Sequence, residues 1–242
     1  MMYLNERIDD LQRGGLRVIQ RADAFRFGTD AVLLADFAAP RRHDRVCDLG
    51  TGTGIIPLLL YARENTISAD AVEIQHDMAD MAARSMAMNG LNEKIRVLPG
   101  DLRSIRTLLP HARYDLVTCN PPYGKAGGTL LNPDASKRLA RHEESCAIED
   151  VACAAAWLLQ NGGRLCCVFP AARMIELSDA MRKYRMAPKR IRMVHSRVEK
   201  AAHLCLMEGM LDARPGLIIE PPLVIYDENN AYTPELRRIY GL

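Results

Sequence analysis

No run of apolar residues in this chain comes near the roughly 20 that a membrane-spanning helix needs. The longest, at 151–159, gives way at once to Gln160, Asn161 and Gly162. A secretory signal is missing too: Asn5, Glu6, Arg7, Asp9 and Asp10 stand where its apolar centre would lie, so a cytoplasmic protein is expected. The seven cysteines include no C-x-x-C pair. Cys47, Cys119, Cys166 and Cys167 fall in strand-like apolar runs, where thiols behave as small hydrophobes, which argues against a disulfide framework or a zinc site. His203 and Cys205 stand two apart without a matching second pair, and no metal is expected. An excess of charge of one sign is also absent: the net charge of +2 by itself predicts no polyanionic partner.

The distribution of charge is less neutral than its sum. Between Met181 and Lys200 the cations Arg182, Lys183, Arg185, Lys189, Arg190, Arg192, Arg197 and Lys200 face a lone Glu199. Lys137, Arg138 and Arg141 form a second group. Such clusters either solvate a surface or neutralise phosphates, and Lys137, Arg138, Arg141, Lys189, Arg190 and Arg192 are the candidates for contact with a nucleic acid.

Short β-branched runs alternate with helical periodicity from Arg45 onward, which predicts an α/β fold with a mostly parallel sheet covered by helices on both faces. Strands are expected at 45–49, 69–73, 95–98, 114–119 and 164–169. Helices are expected at 55–63, across 78–89, at about 148–160 before the terminator Asn161-Gly162-Gly163, and at 174–184. Segments 190–195 and 204–211 read as an antiparallel hairpin at one sheet edge. Prolines 215, 221 and 222 interrupt the tail, which should wrap the body and end in a short helix near 235–239. Residues 1–40 read as a small cap, with a hairpin of 16–19 against 25–27 and a helix at 31–37, integrated with a main domain over 41–242.

Two motifs carry chemistry. Asp48-Leu49-Gly50-Thr51-Gly52-Thr53-Gly54 places a glycine loop between a strand and a helix, where backbone can approach a ligand closely. Its spacing differs from the G-x-G-x-x-G of a pyrophosphate site, and Asp48 would repel a pyrophosphate while suiting a cationic ammonium. Glu73 lies about 20 residues on, where a carboxylate can accept from ribose hydroxyls, with Ile74 beside it. Asp101 and Leu102 follow the third strand, placed to meet an adenine. The second motif, Asn120-Pro121-Pro122-Tyr123, follows the fourth strand. An amino group conjugated to a ring or carbonyl is a weak nucleophile. The Asn120 side-chain oxygen and the Pro121 carbonyl can each accept one of its N–H groups, while Tyr123 stacks on the flat group. Consecutive prolines hold those acceptors in place before the substrate arrives.

On these motifs, in this order, the chain resembles the class I S-adenosylmethionine-dependent methyltransferases of the Asn-Pro-Pro-Tyr group. The resemblance covers about residues 16–210 and implies a Rossmann-like, seven-stranded, mostly parallel sheet with S-adenosylmethionine as cofactor. The group methylates adenine N6, cytosine N4 or a protein glutamine. The segment Phe25-Arg26-Phe27-Gly28-Thr29-Asp30-Ala31-Val32-Leu33-Leu34, together with Ala140-Arg141-His142-Glu143, resembles the valine tRNA adenine N6-methyltransferase family. That likeness implies a tRNA anticodon-loop adenine as acceptor, with Phe27 and Asp30 closing over the cofactor, and RNA as partner. Ribosomal RNA guanine N2, a protein glutamine, and a non-catalytic RNA-binding scaffold are the alternatives. Glutamine-modifying relatives carry a helical domain ahead of the glycine loop, for which this chain has no expected room. Oligomeric state is not written in these motifs; a monomer is the default.

Overall fold

The computed structural model describes residues 3, 5–21, 28–122 and 147–242. Its centre is a nine-stranded sheet. β3 (Arg45–Leu49), β4 (Ser68–Glu73), β5 (Ile95–Pro99), β6 (Tyr114–Cys119) and β7 (Leu159–Pro170) are parallel neighbours in the order β5-β4-β3-β6-β7. β9 (Ala202–Leu211) lies antiparallel between β7 and β8 (Met186–His195). Two pairs of residues from the tail, β10 (Ile218–Ile219) and β11 (Leu223–Val224), add in parallel outside β8. Without these two-residue additions the sheet has the seven strands expected.

The strands are apolar on both faces because both faces are covered. Val46, Cys166, Val168, Leu204 and Leu206 point into one core with α1 (Thr29–Ala38), α2 (Ile55–Arg63), α3 (His76–Met88) and α7 (Pro234–Tyr240). Their sequence neighbours Cys47, Cys167, Phe169, Cys205 and Met207 point into the other, with α4 (Ile105–Leu108), α5 (Ile148–Leu158) and α6 (Met174–Lys183). The period-2 alternation thus sorts each strand between two cores.

Strand 16–19 belongs to β2 (Arg17–Arg21), which pairs with the preceding β1 (Glu6–Asp10), with Ile8 opposite Ile19; the expected partner 25–27 lies outside the described residues. Gly14 and Gly15, both at positive φ, make the reversal. Two local expectations are corrected. The fifth helix stops at Leu158, and Leu159 already pairs with Tyr114. Residues 160–163 are an irregularity within β7, where the register shifts between Tyr114 and Leu116. The glycines there bend a strand as well as ending a helix.

The β1–β2 hairpin is held on α3 by polar contacts. Arg84 grips Glu6 with bonds of 2.6 and 2.8 Å. The buried Ser85 hydroxyl accepts from the Ile19 amide, and Asn89 brackets the Arg17 peptide from both sides. At the other face of the same core, Arg164 is 6% exposed and donates to Glu208, Asp44 and the carbonyls of Ala38 and Ala39. Arg190 adds bonds to Glu208 and the Phe37 carbonyl, with its guanidinium 4.0 Å from the Phe37 ring centre. Two guanidinium groups therefore meet the carbonyl end of α1, where a helix attracts cations.

Candidate active site

The strand order reverses between β3 and β6: β4 and β5 follow on one side, β7 on the other. Ligands of open α/β sheets bind in the crevice at the carboxyl ends of such a pair. Leu49 lies opposite Cys119. The glycine loop leaving β3 and Asn120 leaving β6 must therefore emerge side by side, although some seventy residues of chain separate them. Asn120 joins Gly50, Thr51, Gly52 and Ala31 in lining one cavity of about 240 Å³. Pro121 and Pro122 line a second, of about 710 Å³, against α6 and the start of α5.

The loop is fixed from below. The amides of Gly50 and Thr51 both donate to the Val72 carbonyl, and the Gly52 amide donates to Glu73 Oε2 at 2.8 Å. Gly52 has φ +57 and a Cβ there would enter open space, so the bare backbone is left facing the cavity. At Gly54, φ +85, a Cβ would come within 2.5 Å of Met86 Cε. That glycine serves the close packing of loop on α3.

Asp48 sits beneath this loop, fully buried, accepting from the Thr118 hydroxyl at 2.6 Å through Oδ1. Burial pushes its pKa up to about 7, against the opposing pull of the Thr118 and Thr51 hydroxyls, and the nearby Glu73 carboxylate adds to the rise. Its Oδ2 and the Thr51 hydroxyl oxygen are both buried without a hydrogen-bond partner among the described residues. A buried acceptor left open beside a ligand cavity fits a donor arriving from outside, above all a cationic one. Glu73 is 4% exposed; Oε1 accepts from the Gln75 amide at 2.8 Å, leaving each oxygen a further lone pair for a hydroxyl. Ile74 is 48% exposed, an apolar surface beside that carboxylate.

The other expected residues fall as follows. Asp30 lies in the first turn of α1. Asp101 caps the 3-10 turn Leu102–Ser104 through the Arg103 amide and pairs with the Arg103 guanidinium, which holds its carboxyl below the usual range. Leu102 packs half-buried on the second core. Phe27, Tyr123, Lys137, Arg138 and Arg141 lie outside the described residues. Arg190 is bound to Glu208, Glu220 and Phe37, and Arg192 to the Pro221 carbonyl and both oxygens of Glu235. These guanidinium groups hold tail to sheet. Lys189 donates to the Arg214 carbonyl at 3.3 Å.

The sequence reading missed Thr118, Gln20 and Arg21. Thr118 is a lone hydroxyl in an apolar strand two residues before Asn120, a signal that was present in the chain. Gln20 and Arg21 end β2 and line the cavity with Asn120; only the hairpin's docking on α3 brings them there.

Residues 22–190 match the model of the methyltransferase small domain family. The chain belongs to that family. A protein of Porphyromonas gingivalis named tRNA1(Val) (adenine(37)-N6)-methyltransferase is 31% identical over 91% of this chain and 89% of its own length. One of the same name from Tolumonas auensis is 34% identical over 88% and 86%. The fold matches a predicted O-methyltransferase of Agrobacterium tumefaciens with a TM-score of 0.72 at 24% identity, covering 88% of this chain and 95% of that one. TrmN from Thermus thermophilus matches with 0.56 at 23%, covering 77% and 50%. The cofactor of this methyltransferase is S-adenosylmethionine, and the open acceptor of Asp48, the bare backbone at Gly52 and the buried Glu73 fit it.

Proposed function

We propose that this chain transfers a methyl group from S-adenosylmethionine to adenine N6 in tRNA. The observation that carries the reading is the emergence of Asn120 directly beside the glycine loop, lining one cavity with it at the β3–β6 reversal, with Pro121 next in the chain. Relatives at 31% and 34% identity bear that activity in their names.

In this reading Asp48 and the glycine loop receive the cofactor's amino-acid end, Glu73 its ribose hydroxyls, and Ile74 with Leu102 the faces of its adenine. The bound cofactor supplies a methyl group on a positively charged sulfur. Asp101, already engaged by Arg103, would meet the adenine edge only with its remaining lone pairs. The acceptor base, turned out of its stack, enters from the side of Pro121 and Pro122. The Asn120 side-chain oxygen and the Pro121 carbonyl accept its two amino hydrogens, so that the nitrogen lone pair faces the donor. As the methyl arrives the nitrogen gains positive charge, and the same two oxygens stabilise it. No side-chain base is needed, because the methylated ammonium-like nitrogen is acidic enough to release its proton to water. Asp30 and Phe27 close the donor side, and Tyr123 covers the base.

Nucleoside mass spectrometry of tRNA transcripts incubated with the protein and labelled cofactor tests this. Labelled N6-methyladenosine is expected; label in N2-methylguanosine, or only in a protein glutamine, would overturn the assignment.

A further inference from the structure

At the carboxyl edge of the sheet three tyrosine rings follow one another in a row. Tyr226 and Tyr232 have ring centres 5.5 Å apart and are tilted by 31°, and Tyr232 and Tyr240 stack at the same spacing with an interplanar angle of 17°. The inner end is tied to the site: the Tyr240 hydroxyl donates to Thr29 Oγ1 at 3.1 Å, in the first turn of α1, between the cavity-lining Gly28 and Ala31. Tyr232 and Tyr240 pack on the first core. Tyr226 ends the row with 37% of its surface exposed.

Strand register fixes which edge this is. β6 ends with Cys119 opposite Cys167, β7 ends with Pro170 opposite Leu204, and Val194 is opposite Leu204 in turn. His195 closes β8 opposite Val224, and the Tyr226 amide donates to the Ser196 carbonyl. The exposed tyrosine thus stands on the same edge as Asn120 and the glycine loop. Arg197, whose guanidinium is anchored on the Asp227 carbonyl at 3.0 Å, and the exposed Lys200 lie on the neighbouring loop. The Asp227 carboxylate is turned into its own loop, accepting from the amides of Asn229 and Ala231. Glu199 and Glu228 are exposed on these loops as well, so the patch is not simply cationic.

An exposed ring on the same edge as the transfer site, with charges that nearly cancel around it, suits contact with the flat face of a base more than contact with phosphates alone. We infer that Tyr226 is the landing platform for an unpaired base of the substrate RNA several nucleotides from the one being methylated, because the four strand steps from β6 to β11 put it roughly 19 Å from Asn120, with Arg197 and Lys200 on the adjoining phosphates. This rests on the RNA reading above. Stacking on aromatic side chains is how proteins hold the unpaired bases of a loop. Because the platform works by its π face, the phenol oxygen is dispensable.

The test is fluorescence anisotropy of a labelled tRNA anticodon stem-loop with the full chain and its Tyr226→Ala and Tyr226→Phe variants, with calorimetry of S-adenosylhomocysteine as a check on the donor side. Tyr226→Ala is expected to weaken RNA binding about tenfold, with cofactor affinity unchanged. Tyr226→Phe should bind RNA within about twofold of the wild type. Lys200→Ala should weaken RNA binding only a few-fold and make it less sensitive to salt. If the wild type binds the stem-loop and Tyr226→Ala binds equally well, the platform is wrong and the RNA reading stands. Should Tyr226→Phe lose as much as Tyr226→Ala, the ring face is not the contact and the inference fails. If the wild type binds no tRNA at all, the RNA reading fails and takes the platform with it.

Discussion

Two buried acidic centres on the same side of the sheet have been solved in opposite ways. Around Arg164, the carboxylates of Asp44 and Glu208 meet guanidinium groups, backbone carbonyls fill the remaining donors, and the charges close on one another. Under the glycine loop, Asp48 is more deeply buried than either, faces no cation among the described residues, and keeps one oxygen open. A closed network is scaffold, here fastening the end of α1 to β7, β8 and β9. The open one is the seat proposed above for the cofactor's cationic end, and burial raises the pKa of its carboxyl.

The sharpest way to break this contrast is to remove one charge from each centre. Arg164→Met should destabilise the fold by about 3–5 kcal/mol, since it strands Glu208 and Asp44 without their central partner; a denaturant titration reads it, and a loss within 1 kcal/mol would deny the network its structural role. Asp48→Asn should act in the opposite direction. The Asp48 carboxyl titrates near 7 when folded against an ordinary value of 3.8, so the folded state holds the extra proton between those values and stability falls as pH rises through that window. Removing the charge should therefore stabilise the empty protein by up to roughly 4 kcal/mol at pH 8 and by under about 1 kcal/mol near pH 4. The same variant should bind S-adenosylhomocysteine more weakly.

A pH series of cofactor binding sharpens the point. A cationic ligand group holds Asp48 ionised, so binding to the wild type must release a proton at acid pH. Its affinity should fall roughly tenfold between pH 7.5 and 6, and that slope should flatten in Asp48→Asn. Calorimetry in buffers of different ionisation enthalpy would show the proton directly. The smallest effect belongs to the scaffold side: Arg192→Ala should cost about 1 kcal/mol or less, leaving RNA affinity where it was. A uniform drop in RNA binding would return Arg192 to the interface.

Much of this contrast could be read in the chain and part could not. Strand positions followed from apolar runs bounded by glycine and polar residues, and the glycine loop and Asn120 announced themselves by spacing. That the two motifs adjoin follows from strand order, which the connection lengths permit but do not dictate. The ion pairs of the β8 arginines were not legible, because a basic run looks alike whether its charges face water or carboxylates. Their partners Glu208, Glu220 and Glu235 lie 18 to 43 residues away in sequence. The Thr118–Asp48 bond spans 70 residues and was hidden likewise; the pairing of β2 with β1 is local, but β1 carries charges rather than an apolar strand pattern.

The central claim is that the oxygens of Asn120 and Pro121 aim a planar amine at the donor held over Asp48. Single-turnover methyl transfer to tRNA by Asn120→Ala, measured beside its affinity for S-adenosylhomocysteine, addresses it most directly. A rate lower by on the order of 100-fold with unchanged cofactor affinity is the predicted result. Transfer at the wild-type rate would contradict the account.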